Sequence, residues 1–248
     1  PMLESVRIAN TGKGVLCVVG NYGGDRMNFD MTSEMAELED IVTAKVIVAD
    51  DVASAGPEEA SKRRGVGGLV YVFKIAGAAT AAGQSLEEAT ATTQRASDNC
   101  RSIGVALSSC IVPQAGKATF EIADDEVELG MGIHGEPGVW RGKIKPVNDL
   151  VDEMIDYILK DMPLGASDRV SILVNGLGAT PIEELYLVFR RAKELLEKQG
   201  ITIALPMVGN YATSMEMAGA SITIMKLDDE LESLLGAPAD CPFWRNLK

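Results

Sequence analysis

The chain has 248 residues, 46% of them hydrophobic, and a formal net charge of −13. This length allows one large domain or two small ones, and the acidic balance argues against a general nucleic-acid surface or an anionic membrane partner. The single histidine and four cysteines without CxxC spacing argue against a structural zinc site. We find no signal peptide and no apolar stretch of transmembrane length, and therefore expect a soluble, cytoplasmic protein.

The first predicted strand, residues 14–19, is a nearly continuous apolar run that is typical of a buried strand. It leads into residues 20–25 (GNYGGD), a glycine-rich turn before a helix predicted over 31–39. A strand, such a turn and a helix form a common ligand-binding arrangement in α/β proteins, although the ending of a Walker motif is missing. Asp25 could cap the helix or act as a base in the cleft.

A second buried strand, 45–49, ends at Asp50 and Asp51. Carboxylates at this position lie where open α/β sheets bind ligands, but they could equally form a turn and a helix start. The basic residues 62–64 (KRR) could hold an anion or form a salt-bridged patch. Helices are predicted over 68–82 and, after a Ser85–Glu88 capping box, through residue 99. This alternation of strands and helices predicts a layered α/β domain.

Near residue 100 the sequence changes from alternating strand and helix patterns to a series of strand patterns. We predict strands over 103–107, 118–122 and 126–132, the last two forming a hairpin whose turn is Asp124-Asp125. Further elements follow in order: a helix over 147–159, a strand over 168–174, a helix capped by Thr180 and ended by Gly200, strands over 201–208 and 221–226, and a helix from Asp228. The predicted fold is therefore α/β plus α+β, with domains over 1–100 and 101–236 and a tail over 237–248.

His134, the only histidine, lies in residues 130–138 (GMGIHGEPG), directly after the strand ending near 132. Glycines allow close backbone approach and keep the ring near solvent, so the imidazole is well placed to meet a ligand. An ordinary surface loop is the alternative. A metal site formed by His134, Glu136 and Asp124 or Asp125 is disfavoured, because one imidazole with carboxylates on turns binds transition metals poorly.

Several stretches together resemble the K subunit, or kinase N-terminal module, of dihydroxyacetone (glycerone) kinase. They occur in family order and cover nearly the whole chain: 21–29 (NYGGDRMNF), 50–53 (DDVA), 63–65 (RRG), 75–78 (IAGA), 130–138 (GMGIHGEPG), 173–181 (LVNGLGATP) and 211–219 (YATSMEMAG).

The resemblance implies phosphoryl transfer to a short hydroxyketone. His134 would add to the ketone carbonyl as a hemiaminal, and Asp25 would take the proton of the hydroxyl that is phosphorylated. Gly20, Asn21, Tyr22 and Gly24 would bind the substrate. A covalent tether of this kind requires a carbonyl, rejects glycerol, and fixes a terminal hydroxyl for in-line transfer.

The resemblance also implies partners. The module itself binds no nucleotide and no metal; a helical L subunit or domain carries Mg-ATP or Mg-ADP, and the donor is ATP or a phosphoprotein of the sugar phosphotransferase system. The module is usually a homodimer. The alternative is a ketose-binding paralogue that serves as a transcriptional co-activator, and the presence of Asp25 favours the enzyme.

Two departures from the family pattern set further expectations. Nothing matches the family's N-terminal segment with Gly-Gly-Ser-Gly-His-Glu-Pro, so we expect this chain alone to have an incomplete site and little or no kinase activity. Gly20 stands where most dihydroxyacetone-specific members have lysine, which favours a four-carbon ketose such as erythrulose. Both departures also fit the co-activator alternative.

Overall fold

The computed structural model describes residues 1–242 and 244–247. Its helices are α1 (Met2–Ala9), α2 (Gly23–Glu37), α3 (Gly68–Ala81), α4 (Leu86–Asp98), α5 (Val147–Asp161), α6 (Ile182–Lys198) and α7 (Asp229–Gly236), with a 3₁₀ helix over Pro57–Lys62. Its strands are β1 (Val15–Gly20), β2 (Thr43–Val48), β3 (Cys100–Ala106), β4 (Ile111–Val112), β5 (Lys117–Ala118), β6 (Glu126–Leu129), β7 (Trp140–Lys143), β8 (Arg169–Gly176), β9 (Thr202–Ile203), β10 (Met207–Gly209), β11 (Gly219–Leu227), β12 (Ala239–Asp240) and β13 (Arg245–Asn246).

Two sheets carry the architecture. Strands β1 and β2 pair in parallel, and a seven-stranded mixed sheet has the order β10-β8-β11-β3-β6-β7 with β9 also beside β8. In the large sheet β11 runs antiparallel to both of its neighbours, whereas β10 and β9 run parallel to β8. The predicted mixed α/β class is confirmed. None of the helices in the described part of the chain combines the length and hydropathy of a membrane span.

The large sheet is covered on both faces because neighbouring strand residues point in opposite directions. On β8, Ile172 packs into the cluster beneath α5 and α6, whereas Leu173 packs with α3 and α7 on the other face. Each such fully buried aliphatic side chain contributes about 1.5–3 kcal/mol through the hydrophobic effect. Coverage of both faces explains why nearly every residue of β8 and β11 is buried, including polar ones such as Ser171 and Thr223.

The predicted boundary at residue 100 is crossed by many contacts. Val46 and Val48 of β2 belong to the same buried cluster as Leu173 of the large sheet. The buried Arg63 guanidinium is also paired with Asp161 at the end of α5, its Nη1 donating to Oδ1 at 2.9 Å. The division into domains over 1–100 and 101–236 stays a prediction.

Local signals in the sequence predict helix caps better than they predict the pairing partners of strands. The Ser85–Glu88 capping box and the helix predicted from Asp228 are confirmed, and the Asp228 side chain caps that helix by accepting from Leu231 N. The predicted hairpin over 118–132 is wrong: β6 pairs with β3 and β7, while residue 118 pairs with β4. An alternating pattern marks extended chain but does not specify its partner, and β7 was not predicted at all.

Two predicted helix starts are corrected. Thr180 does not cap α6, because its hydroxyl is engaged with the backbone of Gly219, accepting from N at 2.8 Å and donating to O at 2.7 Å. Helix α2 begins at Gly23 and not at residue 31, so Asp25 lies in its first turn and is not the cap of a later helix.

Candidate functional site

The turn after β1 is held by backbone and amide hydrogen bonds. The Asn21 N–H continues the ladder by donating to Val48 O at 3.0 Å. The Asn21 side chain donates from Nδ2 to Arg63 O at 2.6 Å and to Ser61 O at 2.9 Å. Its amide therefore positions the neighbouring 61–65 segment, and a direct role of Asn21 in binding substrate stays a prediction.

Tyr22 connects this turn to the histidine loop. It is the residue that precedes α2, and its hydroxyl donates to Gly65 O at 3.0 Å. Burial raises the pKa of the phenol well above its ordinary value, so the ring is neutral. The Tyr22 and His134 rings meet edge to face with centroids 4.7 Å apart. This contact brings the start of α2 to the only imidazole of the chain.

Asp25 lies in the exposed first turn of α2. No side chain caps this helix, and the first N–H groups of any helix lack intrahelical acceptors. Side-chain positions at Gly23 and Gly24 would face open space. The turn thus presents a carboxylate and backbone donors to a ligand, which is compatible with the predicted roles of Asp25 and Gly24.

The histidine loop is folded around Glu136. Gly132 N donates to Glu136 O and Gly135 N donates to Gly132 O, both at 3.0 Å. The Glu136 carboxylate accepts from the backbone N–H of His134 at 3.1 Å and contacts the ring Nδ1 at 3.1 Å. A Cβ at Gly132 would collide with this carboxylate and with Arg64 Nη1, so a side chain there would displace both groups from the loop.

The His134–Glu136 contact determines which ring nitrogen is free. Burial raises the pKa of Glu136, but hydrogen bonds from His134 and from loop N–H groups outweigh this effect and lower it to about 2. An ionised carboxylate can only accept, so Nδ1 carries the proton and Nε2 keeps its lone pair in the neutral ring. The hydrogen bond to Glu136 is also the main reason that the pKa of His134 is raised above 6.5, and the charge of Asp25 adds to it.

Arg64 joins the end of β2 to the histidine loop. Its Nε donates to Asp51 Oδ2 at 2.8 Å, and its Nη2 donates to Gly130 O at 2.8 Å. Only 11% of the Arg64 side chain and 3% of the Asp51 side chain are exposed. With Arg63 on Asp161 and Lys62 on Glu59, the basic cluster is a set of ion pairs, so its salt-bridged interpretation is the one observed.

Asp50 has a different function from its neighbour. Its two carboxylate oxygens accept from Val66 N at 2.8 Å and Gly68 N at 2.7 Å, and the Ser102 hydroxyl also donates to it. Asp50 is fully buried and thus fastens the start of α3 to β3. Of the two carboxylates after β2, Asp50 supports the start of a helix and Asp51 is paired with Arg64.

The metal alternative gains no support from the geometry. The Asp125 carboxylate is paired with Lys143 on β7. Within residues 1–242 and 244–247, no three His, Cys, Asp or Glu side chains are grouped so that they could hold a metal ion.

Comparison with known proteins decides the family. Residues 1–243 match the Dak1 domain. This chain belongs to the Dak1 family. It is 46% identical over 245 residues to the dihydroxyacetone-binding subunit of PTS-dependent dihydroxyacetone kinase 2 from Listeria innocua, covering 99% of this chain and 73% of that subunit. It is 41% identical over 244 residues to an L-erythrulose 1-kinase from Mycolicibacterium smegmatis, covering 97% of this chain but only 43% of that enzyme.

Solved structures of both enzymes and regulators share the Dak1 fold. The dihydroxyacetone kinase of C. freundii matches with a TM-score of 0.86 and 31% identity over 98% of this chain and 44% of that one. The dihydroxyacetone kinase operon co-activator Dha-DhaQ matches with a TM-score of 0.89 and 32% identity over 96% of this chain and 74% of that one. The family relationship is therefore shown, and the similarity includes both kinases and a co-activator.

Proposed function

We propose that this Dak1 chain is the ketose-binding part of a dihydroxyacetone-type kinase. The observation that carries the proposal is the contact between Tyr22 and His134, which places the first turn of α2, with Asp25, beside a histidine whose Nε2 is free. A nucleophile and a base thus approach one site from separate elements, as covalent tethering followed by hydroxyl activation requires.

The tethering step uses the neutral ring. The Nε2 lone pair forms a bond to the ketone carbon, and the carbonyl π electrons move to its oxygen, which takes up a proton. The ring regains neutrality by releasing the Nδ1 proton to solvent, and until then the Glu136 carboxylate accepts the hydrogen bond from that N–H. The product is a hemiaminal that contains every atom of the ketose, and glycerol cannot form it because it has no carbonyl.

The transfer step uses Asp25. Its carboxylate takes the proton of the terminal hydroxyl as the oxygen attacks the incoming phosphoryl group. The donor is carried by an L-type subunit that holds Mg-ATP, or Mg-ADP charged by a phosphoprotein of the sugar phosphotransferase system. The name of the Listeria relative, a binding subunit of a PTS-dependent kinase, supports a separate donor subunit. A homodimer of the ketose-binding chain belongs to the same proposal.

Gly20 favours a four-carbon substrate. A Cβ at Gly20 would come within 3.2 Å of Leu69 Cδ1 and 3.4 Å of the Tyr22 ring. Position 20 has no cationic side chain, and the Tyr22 ring packs close to the backbone of Gly20. Erythrulose kinases and dihydroxyacetone-binding subunits both occur among the relatives, which supports short hydroxyketones as the substrate class. Within this class, the absence of a cationic side chain at Gly20 favours erythrulose.

A second candidate is a ketose-binding co-activator without transfer activity. The structural match to Dha-DhaQ supports it. The two candidates share the His134 adduct and differ in transfer. Asp25 in the first turn of α2 favours the kinase, because a sensor that only binds the ketone has no need for a base.

Native mass spectrometry tests the proposal. On incubation with erythrulose or dihydroxyacetone, we expect a mass increase equal to one intact ketose, a greater occupancy with erythrulose in competition, and no adduct with glycerol. The His134→Ala variant should form none. A folded wild-type chain that forms no adduct, or an adduct that survives His134→Ala, would contradict the proposal.

A further inference from the structure

Glu128 is a buried carboxylate at the base of the histidine loop, residues 130–138. It lies on β6, and only 5% of the residue is exposed. Strands β6 and β7 pair on either side of the loop, with Glu128 opposite Arg141 and Leu129 opposite Trp140. A carboxylate at such a depth is costly unless each of its oxygens has a partner. The partners of Glu128 therefore indicate its function.

The first partner of Glu128 is the C-terminal end of the loop. Gly138 N donates to Glu128 Oε1 at 2.6 Å, the short distance typical of a hydrogen bond to a charged acceptor. A Cβ at Gly138 would collide with Leu129 O, so the backbone lies directly against β6 at this point. Arg64 holds the other end of the loop by donating to Gly130 O. The loop is therefore fastened at both ends by side chains that lie outside it.

The second partner of Glu128 is Arg141 on β7. Its Nε donates to Glu128 Oε2 at 2.8 Å, and its Nη2 lies 2.6 Å from the same oxygen. The remaining nitrogen, Nη1, donates to Glu121 O at 2.6 Å. Because the guanidinium is held by Glu128, the position of the segment 119–121 also depends on that carboxylate.

The segment 119–121 supports the loop beside the histidine. A Cβ at Gly135 would come within 3.2 Å of both Phe120 Cδ1 and Thr119 Oγ1, so these side chains lie against the residue that directly follows His134. Gly135 has a φ of +87°, which lets the chain turn there. The buried carboxylate therefore acts on the loop twice, directly at its end and indirectly beside the histidine.

We propose that Glu128 is a positioning residue for His134. Both of its carboxylate oxygens are occupied by the contacts described above, so it acts through the loop and not on the ketose itself. It holds the loop in the shape in which His134 Nδ1 meets Glu136 and Nε2 is turned to the substrate. This inference rests on the proposed function, because the nucleophile that it concerns is the proposed one.

Glu128→Gln tests the inference with little change in side-chain shape. The amide offers one acceptor and one donor, whereas Gly138 N–H and the Arg141 guanidinium both donate, so one of the two contacts must be lost. The first readout is the titration of the His134 ring in the full chain without ketose, followed by ¹⁵N resonance. We expect the pKa of His134, which the hydrogen bond to Glu136 raises above 6.5, to decrease toward 6.5 as that contact loosens.

The second readout is the ketose adduct, measured by native mass spectrometry at high pH, where the ring is neutral. We expect the dissociation constant to rise at least about tenfold in Glu128→Gln, because bond formation requires Nε2 to be held at the carbonyl carbon. Glu153→Gln is the matched control: its carboxylate accepts from Trp140 Nε1 on β7 at 2.6 Å, outside the histidine loop. It should leave the titration unchanged and alter the dissociation constant less than about twofold.

Arg141 variants keep the test decisive where Glu128→Gln does not fold. The Arg141 side chain is 40% exposed, so its replacement creates no buried cavity. Arg141→Met removes the cation beside Glu128 and the hydrogen bond to Glu121 O, whereas Arg141→Lys keeps a cation. We expect Arg141→Met to lower the pKa of His134 and weaken the adduct, and Arg141→Lys to recover part of both effects.

The outcomes separate this inference from the proposed function. A lower pKa of His134 and a weaker adduct in Glu128→Gln and Arg141→Met, with both values retained by Glu153→Gln, support the inference. A wild-type titration in folded Glu128→Gln or in Arg141→Met, or an equal change in Glu153→Gln, would overturn the positioning role. Absence of the adduct from the wild-type chain, with the titration still altered by Glu128→Gln, would count against the proposed function alone.

Discussion

The two halves of the site are built in different ways. The turn that leads to Asp25 continues a buried strand, in which Val19 is 2% exposed, directly into a helix, so backbone geometry fixes it. The His134 loop is exposed, with 60% of the histidine side chain accessible, and its shape depends on Arg64 and Glu136. Asp25, the proposed base, is therefore positioned by secondary structure, whereas His134, the proposed tether, is positioned by side-chain hydrogen bonds.

The largest effect is expected for Asp25→Asn. If Asp25 acts only in transfer, the variant should form the ketose adduct normally but transfer phosphoryl groups 10²- to 10⁴-fold more slowly, the usual contribution of a general base. Because this chain alone is expected to have little or no kinase activity, transfer would be measured in single-turnover experiments with the donor subunit in excess, and adduct occupancy by native mass spectrometry. Asp156→Asn, another exposed helical aspartate, is the control. Equal loss of adduct and turnover would show that Asp25 instead belongs to the tethering half.

The next effect is expected for Arg64→Met. It would leave the buried Asp51 carboxylate without its cation and remove the hydrogen bond to Gly130, so the free energy of unfolding should fall by about 3–5 kcal/mol. The adduct should be lost even where the protein remains folded. Chemical denaturation measures the decrease in the free energy of unfolding. The control Lys62→Met removes an exposed ion pair and should cost at most about 1 kcal/mol. Normal adduct formation by folded Arg64→Met would refute the role of Arg64 in shaping the loop.

The smallest effect is expected for Glu136→Gln. The His134 side chain is 60% exposed and the Glu136 side chain 32%, so solvent screens their contact, which is worth about 1 kcal/mol. The amide oxygen of glutamine can still accept from the His134 backbone N–H, so the loop keeps its shape and the dissociation constant of the ketose adduct should rise no more than about fivefold. Glu58→Gln, on the exposed 3₁₀ helix, is the control.

The pH dependence of the same variant sharpens the test. Only the neutral imidazole adds to the ketone, so the adduct should diminish as the pH falls through the pKa of His134, which lies above 6.5 because of Glu136. In Glu136→Gln the pKa of His134 should decrease, so the pH at which half of the adduct is lost should also decrease. The adduct occupancy at high pH should decrease as well. An unchanged midpoint would contradict the hydrogen bond from Nδ1 to Glu136.

Sequence patterns predicted what is encoded locally. The strand, turn and helix around Asp25 and the Ser85–Glu88 capping box depend on neighbouring residues, and both are present. The sequence predicts the start of α2 at residue 31, eight residues after its true start at Gly23. The reason is that Gly23 and Gly24, which have low helix propensity, occupy the beginning of the helix. Thr180 has the residue type of a helix cap, but its hydroxyl is hydrogen-bonded to the backbone of Gly219, 39 residues away.

The long-range contacts of the site could not be predicted in the same way. Arg64 has two partners: Asp51, 13 residues before it, and Gly130, 66 residues after it. Because such distant contacts leave no local pattern, the sequence is compatible both with an anion site and with ion pairs in the basic cluster. From its residue type, Glu136 is predicted only as a disfavoured metal ligand, whereas its carboxylate contacts His134 Nδ1 and orients the ring. Its position within the same glycine-rich loop was the signal that could have indicated this role.

The most direct test is nuclear magnetic resonance of the only histidine. The chain would be labelled with ¹⁵N at histidine, and the ketose with ¹³C at its carbonyl carbon. We predict that the free protein shows Nδ1 protonated and Nε2 unprotonated at high pH, and that the ketose carbon changes from a carbonyl to a tetrahedral resonance coupled to Nε2. Binding of the ketose with its carbonyl resonance retained, or a coupling to Nδ1, would contradict it.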